Sequence, residues 1–475
     1  MSQTITIDPI TRIEGHSKIT ITMGDDGRVQ NARFHVTQFR GFEKYTEGRM
    51  FHEMPAITAR SCGICPVSHL MASSKACDEL LAVQIPPNAV RLRRIMNLAQ
   101  HMQSHALSFF HLSSPDMLLG FDSDPATRNI FGVLEKYPDL ARDGIALRKT
   151  GQRIIEILGG KRVHPAWVVP GGVNKPLTPE KHELITSMLP DAMTRIQRTL
   201  DWYKDTFGKF EEEIRTFANF PSLFMGMVTD EGEMDLYEGK LRIVDAKGSI
   251  IADGLDPRQY MDFIGEHVEP DSYLKSPYYK PLGYPEGMYR VGPLARMNIV
   301  DRIGTPLADQ EWAEFRALER GPELSSFQYH YARLIEILYT VERLNRSLNH
   351  PDIFSERVRA HAQPNRSEGV GASEAPRGTL FHHYRIDDEG MITWVNMIIA
   401  TGNNSLAMNK GVYQTARHFV RGDRLEEGML NRVEAVIRCF DPCLSCSTHA
   451  FGRMPLEVEL LNSDGEVMDR KARGM

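Results

Sequence analysis

Apolar and polar residues alternate over residues 4–38. Ile5 and Ile7, then Ile19 and Ile21, then Phe34 and Val36 fall on every second position, the period of strands with one buried face. The turn Gly24-Asp25-Asp26-Gly27 divides the run, which therefore reads as a hairpin. Further on the period changes. Val90, Leu92, Ile95, Leu98, Met102, Ala106 and Phe109 recur at three- and four-residue spacing and predict a helix over 88–112. Pro66 suits the first position of an earlier helix over 66–83. Helices are also expected near 126–136, 141–158, 326–347, 403–420 and 425–438, with a long one, charged on one face, over 178–218.

Between these stretches residues 222–300 are rich in Gly, Pro, Asp and Tyr. Short alternations such as Leu241-Arg242-Ile243-Val244 there predict strands and long loops over the core. Two more strands over 378–400 flank Asp387-Asp388-Glu389-Gly390. No repeat, low-complexity tract or linker interrupts the chain. The expected fold is mainly α with peripheral β (α+β): one large helical-bundle core with an N-terminal hairpin and strand-rich insertions.

Composition narrows the function classes. The 475 residues can bury a large core, and 41% hydrophobic with 25% charged residues is ordinary for a globular chain. Net charge is 56 − 62 = −6 with no basic run, so nucleic acid is not an expected partner. No basic segment leads into an apolar stretch at the N-terminus, and nothing approaches the ~18–20 apolar residues of a membrane span. The expectation is a cytoplasmic protein with no membrane span and with reduced thiols.

The chemistry lies in the cysteines. Four of the six form two Cys-x-x-Cys pairs, Cys62–Cys65 and Cys443–Cys446, and Cys65 and Cys443 are 443 − 65 = 378 positions apart. Asp441 reads as a helix N-cap and Pro442 as the first helical residue. That would set Cys443 and Cys446 on one face of a first turn, where the helix dipole favours thiolate. Three readings stay open on spacing alone. Structural zinc is the commonest use of two such pairs, but its pairs usually sit ~12–20 residues apart. A dithiol redox site lacks a thioredoxin-like context. A catalytic soft-metal site between two distant segments suits the polar residues beside each pair. Cys77 and Cys439 stand alone and read as packing. No cysteines are then spare for an iron–sulfur cluster, so electrons would leave through another subunit.

Six motifs carry a resemblance along nearly the whole chain. They are RIEGH at 12–16, RGFE at 40–43, RSCGICPVSH at 60–69, HPAWVVPGGV at 164–173, EAPRG at 374–378 and DPCLSCSTH at 441–449. In this order they resemble the large subunit of nickel–iron hydrogenases, and their variants resemble the soluble branch that exchanges electrons with NAD(P). The resemblance implies that family's large-subunit fold and the reversible heterolytic splitting of dihydrogen. It further implies that Cys62 and Cys443 are terminal ligands of nickel, that Cys65 and Cys446 bridge nickel to iron, and that the iron carries carbon monoxide and cyanide.

Glu14 matches the proton-relaying carboxylate, and Arg377 an arginine above the metals, with Pro376 fixing its loop and Asp441 as its partner. His69 and His105 match histidines near the iron ligands and sulfurs. Glu43, His449 and a backbone carbonyl near Met397 match the ligands of a second metal, magnesium or iron. Arg60 and His16 match residues around the site or at an interface. Ser104 departs from the family, because many relatives place an aspartate there near the arginine.

The implied partners are a small subunit with iron–sulfur clusters, flavin/NAD diaphorase subunits, nickel-insertion proteins and a maturation endopeptidase. That endopeptidase would remove residues 450–475 as a propeptide, leaving 1–449 as one domain. In the tail Leu456, Val458, Leu460 and Leu461 suit a strand that would keep the Cys443 segment outside the core until cleavage. No Gly-x-Gly-x-x-Gly follows a strand, so NAD and flavin are not expected on this chain. The rival readings are a zinc-stabilised scaffold, a quinone-binding relative of a respiratory complex, which would lack the paired cysteines, and a hydrogen sensor.

Overall fold

The computed structural model describes residues 3–421, 425–449, 456–461 and 467–473. β1 (Gln3–Ile7), β2 (Ser17–Met23) and β3 (Val29–Val36) form an antiparallel meander, with Ile21 opposite Ile5 on one side and Ala32 on the other. The alternation is realised: Ile19, Ile21, Phe34 and Val36 are buried. Gly27 closes the predicted turn by donating its N–H to the Gly24 carbonyl.

Four long helices begin the core. α1 (Pro66–Leu81) and α2 (Pro87–Ala106) are followed by α3 (Pro138–Gly159) and α4 (Leu189–Thr206). α2 runs on through a wide π-helical turn, Leu107–Ser113, into Ser114–Leu119. The single helix expected over 178–218 is instead Pro179–Thr186, α4 and Glu211–Thr216. Pro190 is the reason: a proline is tolerated in a first turn and breaks a helix interior, so a new helix starts there. After a short helix α5 (Pro293–Ile299), α6 (Tyr329–Leu348) packs against α2 and α4.

The strand-rich insertion is a four-stranded sheet in the order Tyr289–Arg290, Leu223–Val228, Lys240–Val244, Ile250–Leu255, beside a two-stranded ribbon, Ile264–Val268 with Lys275–Tyr279. A second sheet contains β4 (Glu368–Ala375), β5 (Gly378–Ile386) and β6 (Ile392–Ile398), all antiparallel. β5 and β6 were expected and β4 was not. β4 lies directly on α1, and a Cβ at Gly371 would stand 2.0 Å from the Ala72 carbonyl oxygen. Only glycine permits that approach. Ala375 pairs with Gly378, leaving Pro376 and Arg377 as a two-residue turn.

α7 (Ser405–Phe419) and α8 (Glu427–Phe440) lead to α9 (Leu444–Ser447). Here the structure corrects the capping expectation. Asp441 does not begin a helix but ends α8, in the left-handed conformation with φ 52° and ψ 57°, and Cys443 occupies the N-cap position of α9. Aspartate tolerates left-handed backbone better than most residues, so it serves at either end of a helix. The last described strands, β7 (Leu456–Leu461) and β8 (Val467–Arg473), pair with each other. Among the described residues no helix is long and apolar enough to cross a membrane.

The two ends of the chain are pinned together by buried charge. Arg438, on α8, donates to the Thr11 carbonyl (3.1 Å) and to Asp116 (2.9 Å), and the Thr11 N–H donates to Glu434 (3.1 Å). Hydrogen bonds to charged groups contribute about 1.5–3 kcal/mol each, so the two at Thr11 hold the N-terminal loop against α8.

Candidate metal centre

Cys62 follows a 3₁₀ turn, Ala59–Ser61, in extended backbone, and Cys65 is the residue before Pro66 at the start of α1. The N–H groups of Ile64 and Cys65 both point at the Cys62 sulfur, at 3.2 Å, and fix its position. Gln100 and Gln103 on α2 hold this loop through the Ile64 carbonyl, at 2.7 and 2.6 Å. On the other side the Cys443 N–H donates to Thr401 (2.9 Å), and Leu444 donates to the Glu14 carbonyl (3.1 Å). Gly15 makes that crossing possible: its φ is +94°, and a Cβ would stand 2.6 Å from the Leu444 Cβ.

All four sulfurs are buried and lie within 4.8 Å of one another. Cys62 and Cys443 are 3.2 Å apart, Cys65 and Cys446 3.6 Å, and Cys443 and Cys446 2.6 Å, with no disulfide. Burial pushes the Cys443 and Cys446 thiols up. Cys65, hydrogen-bonded by Cys443, Cys446 and Cys62 and also by His69, is held well below the usual thiol range. A closed set of four soft donors fits a thiolate-bound metal. Cys77 and Cys439 are buried elsewhere as expected, and burial raises both thiols, Cys439 to about 12.

Arg377 lies beside this cluster at the tip of the β4–β5 turn. It donates to the backbone carbonyl and, at 3.1 Å, to the carboxylate of Asp441, and its other nitrogen contacts Ser104 at 3.3 Å. Burial works against its charge, but Asp441 and the sulfurs of Cys443, Cys65 and Cys62 outweigh that and hold its pKa well above the usual value. The expected Arg377–Asp441 pair is therefore present, and Ser104 does meet the arginine.

The turn itself is fixed by a residue that sequence reading missed. Arg296 on α5 is wholly buried. It binds Glu336 (2.7 Å twice) and Glu374 (2.6 Å) and donates to the carbonyls of Ala375 and Pro376, at 3.1 and 3.3 Å. A single arginine inside the apolar run Pro293–Ile299 was the available signal. His105 joins this network: its hydrogen bond goes to Glu336 (2.7 Å), not to a sulfur. His69 is among the groups that hold the Cys65 thiol low, and its Nδ1 meets His382 at 3.1 Å. His382, also missed, sits in a strand where alternation alone gave it no distinction.

Glu14 is half-buried at the edge of the cluster. One carboxylate oxygen accepts the Ser445 N–H at 3.0 Å and the other accepts the Ser445 hydroxyl. A second group forms behind Cys446. His449 meets Glu43 at 3.0 Å, and the Met397 N–H donates to Glu43 at 2.8 Å. Burial raises the Glu43 pKa, but His449, Lys275 and the Met397 N–H bring it down to about 2. Two side-chain donors with oxygen and imidazole nitrogen fit a cation that keeps its own waters. The contact that the structure gives Met397 runs through its N–H, and the Lys275 ammonium stands 3.7 Å from Glu43. The Cys443 segment and His449 are buried with the tail strands β7 and β8 present, unlike the expected displaced arrangement. Arg60 and His16 are exposed.

Comparison with known proteins agrees with this geometry. The model of the nickel-dependent hydrogenase family matches residues 40–121 and 226–449, and a HoxL-like model matches residues 4–39. The NAD-reducing hydrogenase HoxS subunit beta of Cupriavidus necator is 40% identical, over 100% of both chains. A solved NAD+-reducing [NiFe]-hydrogenase in the H2-reduced state superposes with a TM-score of 0.92 at 42% identity, over 94% of this chain and 99% of that one. The Ni-Fe-Se hydrogenase from D. vulgaris Hildenborough gives a TM-score of 0.75 at 25% identity, over 94% of this chain and 100% of that one.

Proposed function

The chain belongs to the nickel-dependent hydrogenase family as a large subunit, and from that premise we propose that its four cysteines hold a nickel–iron centre whose electrons pass to a partner subunit and on to NAD(P). The observation that carries this reading is the convergence of four buried sulfurs beside a buried, fixed arginine. When bound, the centre supplies redox-active metals at which dihydrogen is split heterolytically, with carbon monoxide and cyanide on the iron. Cys62 and Cys443 would be terminal on nickel, and Cys65 and Cys446 would bridge to iron.

The chain's own groups then have separable tasks. Arg377 keeps a positive charge over the cluster because Asp441 and Arg296 fix it from two sides. Glu14 accepts the proton: its carboxylate is the titratable group bonded to Ser445, between Cys443 and Cys446. His69 helps to hold the Cys65 thiol low. Glu43 and His449, with the backbone near Met397, would hold magnesium or iron as a structural clasp on the C-terminal segment. His105 and Pro376 act through Arg296 on the arginine turn.

The likeness to an NAD-reducing enzyme supports partners that carry iron–sulfur clusters and a flavin/NAD diaphorase. Metal analysis with infrared spectroscopy of the assembled enzyme tests the centre. Nickel and iron with carbonyl and cyanide bands are expected, and zinc without such bands would overturn the reading.

Residues 1–449 would be the mature domain and 450–475 a propeptide removed by a maturation endopeptidase. The family match stops at His449, and the solved NAD+-reducing chain, matched over 99% of itself, covers 94% of this one. That shortfall is the size of the 475 − 449 = 26-residue tail. Mass spectrometry of active protein is expected to find a C-terminus at His449; activity in protein retaining residues beyond it would refute cleavage as a requirement.

A further inference from the structure

A cavity of about 280 Å³ lies between the N-terminal half of α2 and the C-terminal end of α6, outside everything assigned above. Its size is near the lower end of small-molecule sites, which run roughly 300–1,000 Å³. Arg91 and Arg94 line it from α2, and Arg343 and Arg346 from α6. Asp235 also lines it and is paired with Arg94 (3.2 Å), which Glu238 meets as well (2.9 Å), leaving three guanidiniums without a carboxylate. Arg91 bonds to Asn88 and His350, neither of which is an anion. Among the described residues no carboxylate is within ion-pair distance of Arg91, Arg343 or Arg346. Unbalanced guanidinium charge in the walls of a concave site concentrates a positive field there, and paired guanidiniums match phosphoryl oxygens better than any other side chain.

A second, independent observation concerns neutral chemistry. Arg94 Nε and Asn97 Oδ1 are buried and make no hydrogen bond among the described residues, and both residues line the cavity. Asn97 is only 1% exposed, and its amide nitrogen is already committed to the Leu236 carbonyl at 2.8 Å. A buried donor and a buried acceptor left without partners are costly. An anion satisfies the guanidinium nitrogen, but only a hydroxyl or N–H donor satisfies the asparagine oxygen.

We infer that this cavity binds a small phosphorylated molecule, its phosphoryl group held by Arg91, Arg94, Arg343 and Arg346 and a hydroxyl donating to Asn97 Oδ1. The hydroxyl belongs either to a protonated phosphate or to an attached sugar. Sulfate has the same shape and a similar charge but no proton to donate near neutral pH, so the Asn97 oxygen should discriminate against it.

Calorimetric titration of the assembled enzyme with inorganic phosphate, ribose 5-phosphate and sulfate at one ionic strength tests this. Saturable binding of at least one phosphorylated probe is expected, with sulfate weaker by roughly tenfold or more. Tighter binding of ribose 5-phosphate identifies a sugar phosphate as the ligand, and equal affinities identify free phosphate. The double variant Arg343→Gln/Arg346→Gln should weaken binding by roughly tenfold or more while hydrogen turnover stays at the wild-type rate. Absence of saturable binding, equal affinity for sulfate, or unchanged binding in the double variant would each overturn the proposal.

Discussion

Hydrogen turnover is expected to fall below detection when Cys443 is replaced by serine in the assembled enzyme, a larger loss than the ~10–100-fold typical of changes outside the ligand set. Cys443 is the sulfur nearest the middle of the cluster, 3.2 Å from Cys62, 4.0 Å from Cys65 and 2.6 Å from Cys446. A serine oxygen there is harder and remains protonated near neutral pH, so it replaces neither the charge nor the softness of a thiolate. The backbone contact that seats the residue survives, since it runs from the Cys443 N–H to Thr401. Circular dichroism and subunit assembly should therefore match the wild type while nickel content falls. Cys77→Ser is the matched control, because that buried thiol donates only to the Phe51 carbonyl and the variant should keep its turnover. Wild-type activity in Cys443→Ser would remove Cys443 from the ligand set.

Glu14→Gln is expected to slow hydrogen turnover and hydrogen–deuterium exchange by ~10²–10⁴-fold with nickel and iron content unchanged, the range lost with a positioned general base. Glutamine keeps the shape, and its carbonyl oxygen can still accept the Ser445 N–H that binds Glu14 at 3.0 Å. What it cannot do is carry a proton. Retained metal with lost exchange is thus the signature of a proton carrier. Loss of metal would instead make Glu14 a brace for the Cys443 segment, and wild-type exchange would move the base elsewhere.

The parts legible in the sequence were those fixed by local rules. Alternation placed β2 and β3, three- and four-residue spacing placed α2, and Pro66 marked the start of α1. The motifs alone mark the four cysteines, Arg377, Asp441 and Glu14 as one group, and the fold places them together. What was not legible depended on tertiary contact. Seven of the eight residues of β4 are Gly, Ala, Ser or Glu, which have little strand preference, and its glycines let it lie flat on α1. Asp441 looked like a helix start because a short carboxylate serves a cap and a left-handed residue equally well. Arg296 and Glu336 are brought together from 40 positions apart by the packing of α5 on α6, and no spacing rule reaches that far.

The separation of the two cysteine pairs also sets a clock on synthesis. Cys62 and Cys443 are 381 positions apart, and at a translation rate of ~5–20 residues per second the first pair waits about 20–80 s for the second. Throughout that interval Cys62 and Cys65 are on the growing chain without their partner thiols. A nascent chain therefore presents two bare thiols to any oxidant, and a ribosome stalled before codon 443 leaves a product that can never close its centre.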